Sequence, residues 1–398
     1  MALLMELDNA MAHSPNYGTV SLSAQPGVPD ELWANTDGWG LMHSMDGGAT
    51  WGWMCGESVG VTGVYDVLAW GPGAALVGTT TGLMRVGDDC SGVSIPGLDD
   101  GFALRVTRWG ERAAVALIGP ETGGIYLCDE AGCAPTPLIG ADYYPKTVVV
   151  SGDTLWLTLV HTDTLVAELY RSTDGIEFEL RHTWPDGDVD PRLVYVEGDR
   201  VAIWARPRSD AAVPAFELSR DGGATFSRTL EVGYYTDPAP GTLVRGGGEV
   251  VLVGSYYGAR TWRSDDGGAT FTEVSDTAPA IRCGLELGAR ALVCTDHLAD
   301  GFDLAETQDN LEFQPTTCLE EVGAAACATE ACEPYVDAWF SAGAYGGGGC
   351  DPTGDDSASE PAPNECGCGG GGPSELATAG VAVVTVVARS RKRRETRG

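Results

Sequence analysis

The sequence predicts an all-β fold, a seven-bladed β-propeller in which each blade contains four strands. A motif of the form Ser-x-Asp-Gly-Gly-x-Thr-aromatic occurs at 44–51, 219–226 and 264–271, and a looser copy occupies 172–178. Short apolar or alternating segments bounded by Gly, Asp and Pro lie between the copies, as expected for strands. Repeats of about 40–50 residues with four strands each are typical of propeller blades.

The spacing of the motif aspartates gives the number of blades. Asp174, Asp221 and Asp266 are separated by steps of 47 and 45 residues, and a further step of 43 leads to Asp309 in a decayed copy. Asp46 lies 128 residues before Asp174, which is about three steps, and acidic turns near positions 88 and 130 fill the gap. Seven turns predict seven blades between residues 16 and 317. A pair of β-sandwiches is the alternative, but it does not require equal spacing.

The second strand of each predicted blade is apolar. Such segments occur at 113–118, 154–160, 200–205, 249–254 and 290–294. A strand buried between neighbouring sheets is expected to carry a nearly continuous apolar run.

The motif itself predicts a tight turn. Its Asp carboxylate can accept hydrogen bonds from N–H groups of the same turn, and its glycines allow positive φ. The motif resembles the Asp-box, or bacterial neuraminidase repeat, found in the sialidase superfamily. The resemblance implies a structural role for five aspartates: Asp46, Asp174, Asp221, Asp266 and Asp309. It implies no activity, because these turns occur in enzymes and in non-enzymes.

The composition is strongly acidic. The chain has 24 Lys and Arg residues against 57 Asp and Glu, a formal net charge of −33. Such a charge repels nucleic acid and anionic lipid, so no nucleic-acid partner is expected. We interpret the acidic composition as a feature that keeps the protein soluble outside the cell. A dedicated acidic binding face is the alternative.

The composition changes on both sides of the propeller. Residues 1–15 lack the basic start and apolar core of a signal peptide, and we expect that a leader is missing. The alternative is that these residues contribute an edge strand. Residues 318–350 form a Cys-rich segment, and 351–373 have the composition of a flexible, disordered linker. Residues 374–398 contain an uncharged run at 376–388, a predicted short apolar helix, followed by a basic cluster.

The last 33 residues resemble the myxobacterial C-terminal sorting tail (MYXO-CTERM), in which a Cys-Gly-rich segment, a short apolar helix and an arginine cluster follow in order. The resemblance implies export, processing near Cys366 or Cys368, and retention at the cell surface or outer membrane. An ordinary membrane anchor is the alternative. The run of 13 residues spans ~20 Å as a helix, short of the ~30 Å hydrocarbon core.

The 12 cysteines predict disulfides, because their number is even and the chain has features of an exported protein. Cys128 and Cys133 flank the third turn, and Cys283 and Cys294 lie on successive strands of the seventh blade, so each pair can close a hairpin. Four later cysteines allow three pairings among themselves: Cys318, Cys327, Cys332 and Cys350.

No metal site or cofactor is expected. Cys327 and Cys332 have four residues between them and no histidine nearby, whereas zinc sites use close Cys pairs or histidine partners. Cys55 and Cys90 fall in adjacent predicted blades, and the sequence does not indicate a disulfide partner for either of them.

No catalytic residues are expected. The Asp-box family includes sialidases. Those enzymes use three arginines, a Tyr–Glu nucleophile pair and an Asp acid, with an Arg-Ile-Pro-like tripeptide in the first strand. Here the first arginine is Arg85, and no such tripeptide occurs. Xyloglucanase-type glycoside hydrolases carry repeats similar to 36–51, but they use opposed carboxylates in a cleft between two propellers. A single ring lacks that cleft.

The remaining candidate is a surface for recognition. In a propeller, the loops that join blades and the loops between second and third strands share one face, opposite the motif turns. Aromatic residues and Arg are enriched in recognition surfaces. On this face we predict the following ligand-binding residues: Trp39, Tyr143, Tyr144, His161, Arg206, Arg208, Tyr235, Tyr256, Tyr257, Arg260 and His297. Packing of the loops at blade ends is the alternative role for each of them.

These observations predict a non-enzymatic propeller, retained at the cell surface, that binds a protein or glycan through the loop face. Its tail is the expected contact with the membrane. The chain resembles the broad group of Asp-box propellers that includes sortilin-type receptors and photosystem assembly factors. A secreted glycoside hydrolase, sialidase-like or xyloglucanase-like, and a structural envelope component are the alternatives.

Overall fold

The structure is a computed structural model. It describes residues 19–36, 40–61, 63–98, 101–119, 123–140, 142–185, 187, 189–208, 213–232, 241–254, 260–295, 300, 302–308, 312–318, 322–325, 327–328 and 330–333. Every described residue lies in one compact unit of the chain.

The first three blades are antiparallel sheets of consecutive strands. Blade 1 contains β1 (Thr19–Gln25), β2 (Val28–Thr36), β3 (Gly40–Ser44) and β4 (Gly52–Met54), and the short helix α1 (Gly56–Val59) follows it. Blade 2 contains β5 (Val64–Ala69), β6 (Ala74–Thr79), β7 (Gly82–Gly87) and β8 (Gly92–Ser94). Blade 3 contains β9 (Phe102–Trp109), β10 (Arg112–Ile118), β11 (Gly124–Asp129) and β12 (Gly132–Ile139).

The other four blades repeat this pattern. Blade 4 contains β13 (Tyr143–Ser151), β14 (Thr154–His161), β15 (Ala167–Ser172) and β16 (Glu179–Trp184). Blade 5 contains β17 (Val189–Glu197), β18 (Arg200–Pro207), β19 (Ala215–Ser219) and β20 (Ser227–Glu231). Blade 6 contains β21 (Gly241–Arg245), β22 (Val250–Gly254), β23 (Thr261–Ser264) and β24 (Thr272–Glu273). Blade 7 contains β25 (Cys283–Leu287), β26 (Arg290–Cys294), β27 (Leu304–Thr307) and β28 (Phe313–Thr317), and β29 (Gly323–Ala324) follows.

The first strands of the blades form the inner wall of a ring. β1 contacts β5, β5 contacts β9, β9 contacts β13, and β13 contacts β17, while β21 contacts β25 and β25 returns to β1. The predicted all-β, seven-bladed propeller of four-stranded blades is confirmed. The second strands are buried between sheets, as predicted, and apolar clusters fill the spaces between adjacent blades.

The loops between third and fourth strands that begin at Ser44, Ser172, Ser219 and Ser264 are called the Ser–Asp turns. In the first, the Ser44 hydroxyl donates to Asp46 Oδ1 at 2.9 Å and accepts from the Gly48 N–H at 2.9 Å. The Thr50 N–H and hydroxyl both donate to the Asp46 carboxylate, at 2.8 and 2.6 Å. The turns at Ser219 and Ser264 repeat these bonds.

These bonds stabilise the ionised aspartates. The Thr270 N–H and hydroxyl are the main donors that lower the pKa of Asp266 to about 2, and the corresponding Thr50 bonds lower the pKa of Asp46. Because the bonds lie within a few residues of one another, the motif specifies the turn locally.

Each of the three complete Ser–Asp turns is also fastened to the preceding blade. The carbonyl of its first glycine accepts a hydrogen bond from a side chain of that blade. The bonds are Arg181 Nε to Gly222 O at 2.8 Å, the Tyr195 hydroxyl to Gly267 O at 2.7 Å and Arg290 Nη1 to Gly47 O at 2.8 Å. The last of these crosses the seam between blade 7 and blade 1.

A short segment after blade 7 closes the ring across that seam. We call residues 322–325, 327–328 and 330–333 the strap. Its strand β29 pairs parallel to β4, the outer strand of blade 1, with Gly323 opposite Gly52. Only glycine fits easily at position 52, because a Cβ there would lie 3.2 Å from the Ala325 Cβ. Val322, Ala328 and Cys332 complete the core around blade 1.

Four disulfides join described residues. Cys128–Cys133 and Cys283–Cys294 close hairpins in blades 3 and 7, the pairs that sequence analysis placed on neighbouring strands. Cys55–Cys332 and Cys90–Cys327 fasten the strap to blades 1 and 2, with sequence separations of 277 and 237.

The strap disulfides correct one expectation from the sequence. Cys327 and Cys332 do not pair among the late cysteines, because β29 lays the strap along β4 and brings them to Cys90 and Cys55. Cys318 is also disulfide-bonded. Cys350, Cys366 and Cys368 lie outside the described residues.

Several other expectations fall outside the described residues as well. They concern the segment 1–15, Asp309, the linker at 351–373 and the tail at 374–398. In the part of the chain that the structure describes, no helix has the length and apolar character needed to cross a membrane.

The buried ring of His43 is expected to make blade 1 sensitive to mild acid. The imidazole stacks on Trp33 with ring centroids 4.2 Å apart, and its Nε2 lies 3.8 Å from Glu31 Oε1. Burial lowers the pKa of His43, and the charges of Glu31 and Asp88 offset only part of this effect. The unfolded chain therefore binds more protons than the folded chain once the pH falls below about 6.5, and folding stability declines from there.

Thermal unfolding followed by circular dichroism at pH values between about 7 and 5.5 checks this. We expect the melting temperature to fall over this interval, and His43→Phe, which keeps a ring against Trp33, to flatten the decline. The same slope in both proteins would contradict the assignment to His43.

Candidate functional site

The candidate site lies at the inner wall of the ring, where the first strands of blades 4 and 5 begin. Neighbouring strands in a blade run in opposite directions, so the starts of first strands lie at the same end as the loops between blades. Strand pairing in blade 4 shifts register between Pro145 and Thr147 and leaves Lys146 in a β-bulge. Bulges redirect side chains and are common beside functional sites.

Lys146 contacts an acidic residue and an aromatic residue. Its Nζ lies 3.1 Å from Asp190 Oδ1, on the first strand of blade 5, and 4.2 Å from the centre of the Tyr144 ring. The side chains of Lys146 and Asp190 are only 14% and 9% exposed. Burial lowers the pKa of Lys146 in spite of Asp190, and burial raises the pKa of Tyr144.

Further basic groups surround this pair. Arg192 Nη2 lies 3.9 Å from Asp190 Oδ2, and the positive charges of Arg192 and Arg208 act on Lys146 to lower its pKa. Arg208 Nη1 also donates to the Leu165 carbonyl at 3.2 Å. Lys146 and Arg192 both face Asp190, and the charge of Arg208 also acts on Lys146, so three basic groups surround this one acid within an acidic protein. We call these four residues with Tyr144 the inner cluster.

A second polar network lies on blade 4, at the same end. His161 Nε2 is 2.8 Å from Glu168 Oε2, and the Tyr170 hydroxyl donates to the same oxygen at 2.7 Å. Tyr143 pairs with His161 across β13 and β14, with ring centroids 4.9 Å apart. The Glu168 carboxylate thus has two side-chain hydrogen-bond partners, and these bonds hold the rings of His161 and Tyr170 in place.

Blade 2 contributes a buried carboxylate to the inner wall. Asp66 accepts hydrogen bonds from the N–H groups of Val106 and Val67, at 2.9 and 3.1 Å, and lies 3.8 Å from Arg105 Nη1. Burial raises the pKa of Asp66, and Arg105 opposes the shift. The bond to Val106 joins blade 2 to blade 3.

The structure brings together part of the predicted loop-face set. Tyr143, Tyr144, His161 and Arg208 lie in or beside the inner cluster, and Arg206 pairs in register with Asp190 on β17 and β18. Arg260 is on blade 6, where it forms an ion pair with Glu273 through two nitrogens and lies over the Trp262 ring. The other predicted residues are outside the described part: Trp39, Tyr235, Tyr256, Tyr257 and His297.

Sequence reasoning missed Lys146, Glu168, Asp190 and Arg192. One signal was available, because Lys146 is the single lysine between residues 16 and 317 and lies in an otherwise uncharged strand. Among the described residues, no group of three or more His, Cys, Asp or Glu side chains is arranged to hold a metal ion.

The fold is similar to solved propeller structures. No model of a known protein family matches the chain, and no curated protein matches it in sequence. An ancestral GH74 enzyme is similar over 76% of this chain, with a TM-score of 0.57 and 13% identity, and this chain spans only 47% of that enzyme. YCF48 from Cyanidioschyzon merolae is similar over 74% of this chain and 97% of its own, with a TM-score of 0.51 and 15% identity.

A structure described as YCF48 bound to D1 peptide is similar over 60% of this chain and 75% of its own, with a TM-score of 0.43 and 15% identity. At such identities the likeness concerns the fold alone.

Proposed function

We propose that the protein is a non-enzymatic, surface-retained binding propeller that recognises an anionic group on a protein or glycan through the inner cluster. The observation that carries this proposal is the excess of basic side chains around Asp190 at the loop end of the inner wall. The neighbouring Tyr144 and Tyr143 supply aromatic surface of the kind that recognition sites use.

The surroundings of the cluster support a ligand with a local rather than extended negative charge. The protein as a whole carries a formal charge of −33, which repels polyanions at a distance. A single carboxylate or sulfate on an otherwise neutral or basic ligand avoids most of that repulsion. It also gains charge-assisted hydrogen bonds from Arg192, whose side chain is 26% exposed.

Binding arrays test this proposal. The purified protein is applied to a glycan array holding matched neutral and uronic-acid-bearing oligosaccharides, and to a peptide array of varied charge. We expect hits that carry a carboxylate or sulfate, and Arg192→Gln should weaken them about tenfold through loss of a charge-assisted bond. Arg228→Gln is the matched control, because Arg228 pairs with Glu231 on the outer strand of blade 5. Hits confined to neutral ligands, or equal losses in both variants, would overturn the proposal.

A glycoside hydrolase is the second candidate, and one observation favours it. Asp66 is a buried carboxyl on the inner wall with a raised pKa, which is the property that a general acid needs. Screening fluorogenic glycosides with wild type and Asp66→Asn separates the two functions. Turnover that disappears in Asp66→Asn would replace the binding proposal. Arrays and screens without any hit would favour a structural envelope component.

A further inference from the structure

The two disulfides that hold the strap differ in access to solvent. Cys55 and Cys332 are 2% and 0% exposed and belong to the core around blade 1. Cys327 is exposed and Cys90 is half-buried. Each of the other three bonds between described residues contains at least one buried cysteine, so Cys90–Cys327 is alone among these four in having none.

The backbone at Cys90 is also unusual. Its φ is +62°, and Leu165 is the other non-glycine residue with positive φ in the described part of the chain. Left-handed backbone costs a non-glycine residue energy, so a turn that holds it depends on its surroundings. Here the turn carries the disulfide, and Cys327 Sγ lies 3.3 Å from the Asp88 carbonyl.

The strap has independent attachments to blade 1. β29 pairs with β4, the Ala325 N–H donates to the Trp53 carbonyl at 2.8 Å, and Cys332 is bonded to Cys55 within the core. Loss of the bond to blade 2 therefore leaves the strap in place on blade 1 and the ring closed.

We propose that Cys90–Cys327 is an exchangeable disulfide, a modification site for dithiols, whereas Cys55–Cys332 is a permanent one. A thiolate of the dithiol attacks the exposed Cys327 sulfur, the bond to Cys90 breaks, and the electron pair stays on the Cys90 sulfur, which takes up a proton. The second thiol attacks the mixed disulfide and releases Cys327 as a thiol. The protein gains two electrons and two protons, and the dithiol becomes a cyclic disulfide. The outcome is a strap released from blade 2 alone.

Timed reduction of the native full chain tests this. The protein is treated with dithiothreitol without denaturant, quenched with N-ethylmaleimide at intervals, and mapped by mass spectrometry of its peptides. Because a buried bond reacts only after local opening, we expect Cys90 and Cys327 to be labelled at least about tenfold faster than Cys55 and Cys332. Equal rates, or faster labelling of Cys55 and Cys332, would overturn the assignment.

A double variant that lacks the exposed disulfide is the control for this labelling experiment. The double substitution Cys90→Ala and Cys327→Ala should remove the fast labelling while leaving a folded propeller, which circular dichroism checks. Its Cys55 and Cys332 should stay as slow as in the wild type. If they become fast in this variant, the exposed bond protects the buried one, and the two bonds are not independent as proposed.

Discussion

Replacing Cys55 and Cys332 together by alanine is expected to destabilise the propeller by about 4 kcal/mol. The bond joins residues separated by 277 positions, but Cys90–Cys327 also closes the ring and limits what the first bond adds. Cys55 and Cys90 are 35 residues apart, and Cys327 and Cys332 are 5 apart. The extra loop that each bond closes is thus about 40 residues, which sets the loss of unfolded-chain entropy.

Chemical denaturation of the wild type and variant under non-reducing conditions measures this effect. The control is Cys128→Ala with Cys133→Ala, because that bond spans only 5 positions and should contribute about 2 kcal/mol. A loss from the Cys55 variant no larger than that of the control would mean that β29 and the apolar contacts close the ring without help from the disulfide.

The second large effect is expected at Asp190. Asp190→Asn keeps the size of the side chain but leaves Lys146 without its acidic partner, at a site where that lysine is 14% exposed. Removal of one partner from a buried ion pair strands the other charge, and we expect a loss of about 3 kcal/mol near neutral pH.

The pH dependence identifies the cause of this loss. Burial already lowers the pKa of Lys146, and loss of Asp190 lowers it further. A lysine whose pKa is depressed in the folded state destabilises the fold at any pH below its unfolded pKa, and the deficit shrinks as the pH rises toward that value. Denaturant unfolding of Asp190→Asn should therefore show a smaller deficit at pH of about 10 than at about 7.

A second substitution provides the control for Asp190. Lys146→Met in the Asp190→Asn background removes the stranded charge and should recover most of the stability, since apolar replacements of buried ion pairs are often tolerated. If the double variant is no more stable than Asp190→Asn, the lost stability arises from Asp190 itself rather than from the unpaired ammonium group. The Asp190 variants can also be applied to the glycan and peptide arrays. Comparing their ligand binding with their stability then separates an effect on binding from an effect on folding.

Neither the Lys146–Asp190 contact nor the pairing of the strap cysteines was predicted, because in both cases the partners lie far apart in the chain. Lys146 and Asp190 are 44 residues apart, about one blade, and meet only because neighbouring first strands pack against each other. Nothing in the spacing shows which residue of each strand faces its neighbour, because the bulge at Lys146 shifts the alternation. A lone lysine in an otherwise uncharged strand signalled the position but not its partner.

The sequence by itself determined the fold class, the number of blades and the Ser–Asp turns, because the bonds of each turn form within eight residues and recur at a regular spacing. Only the tertiary structure decided which cysteines close the ring and which charges meet at the inner wall. These contacts join distant parts of the chain, and their partners depend on how finished blades pack together. Local sequence fixes the geometry of a turn, whereas the packing of one sheet on the next selects the pairs between them.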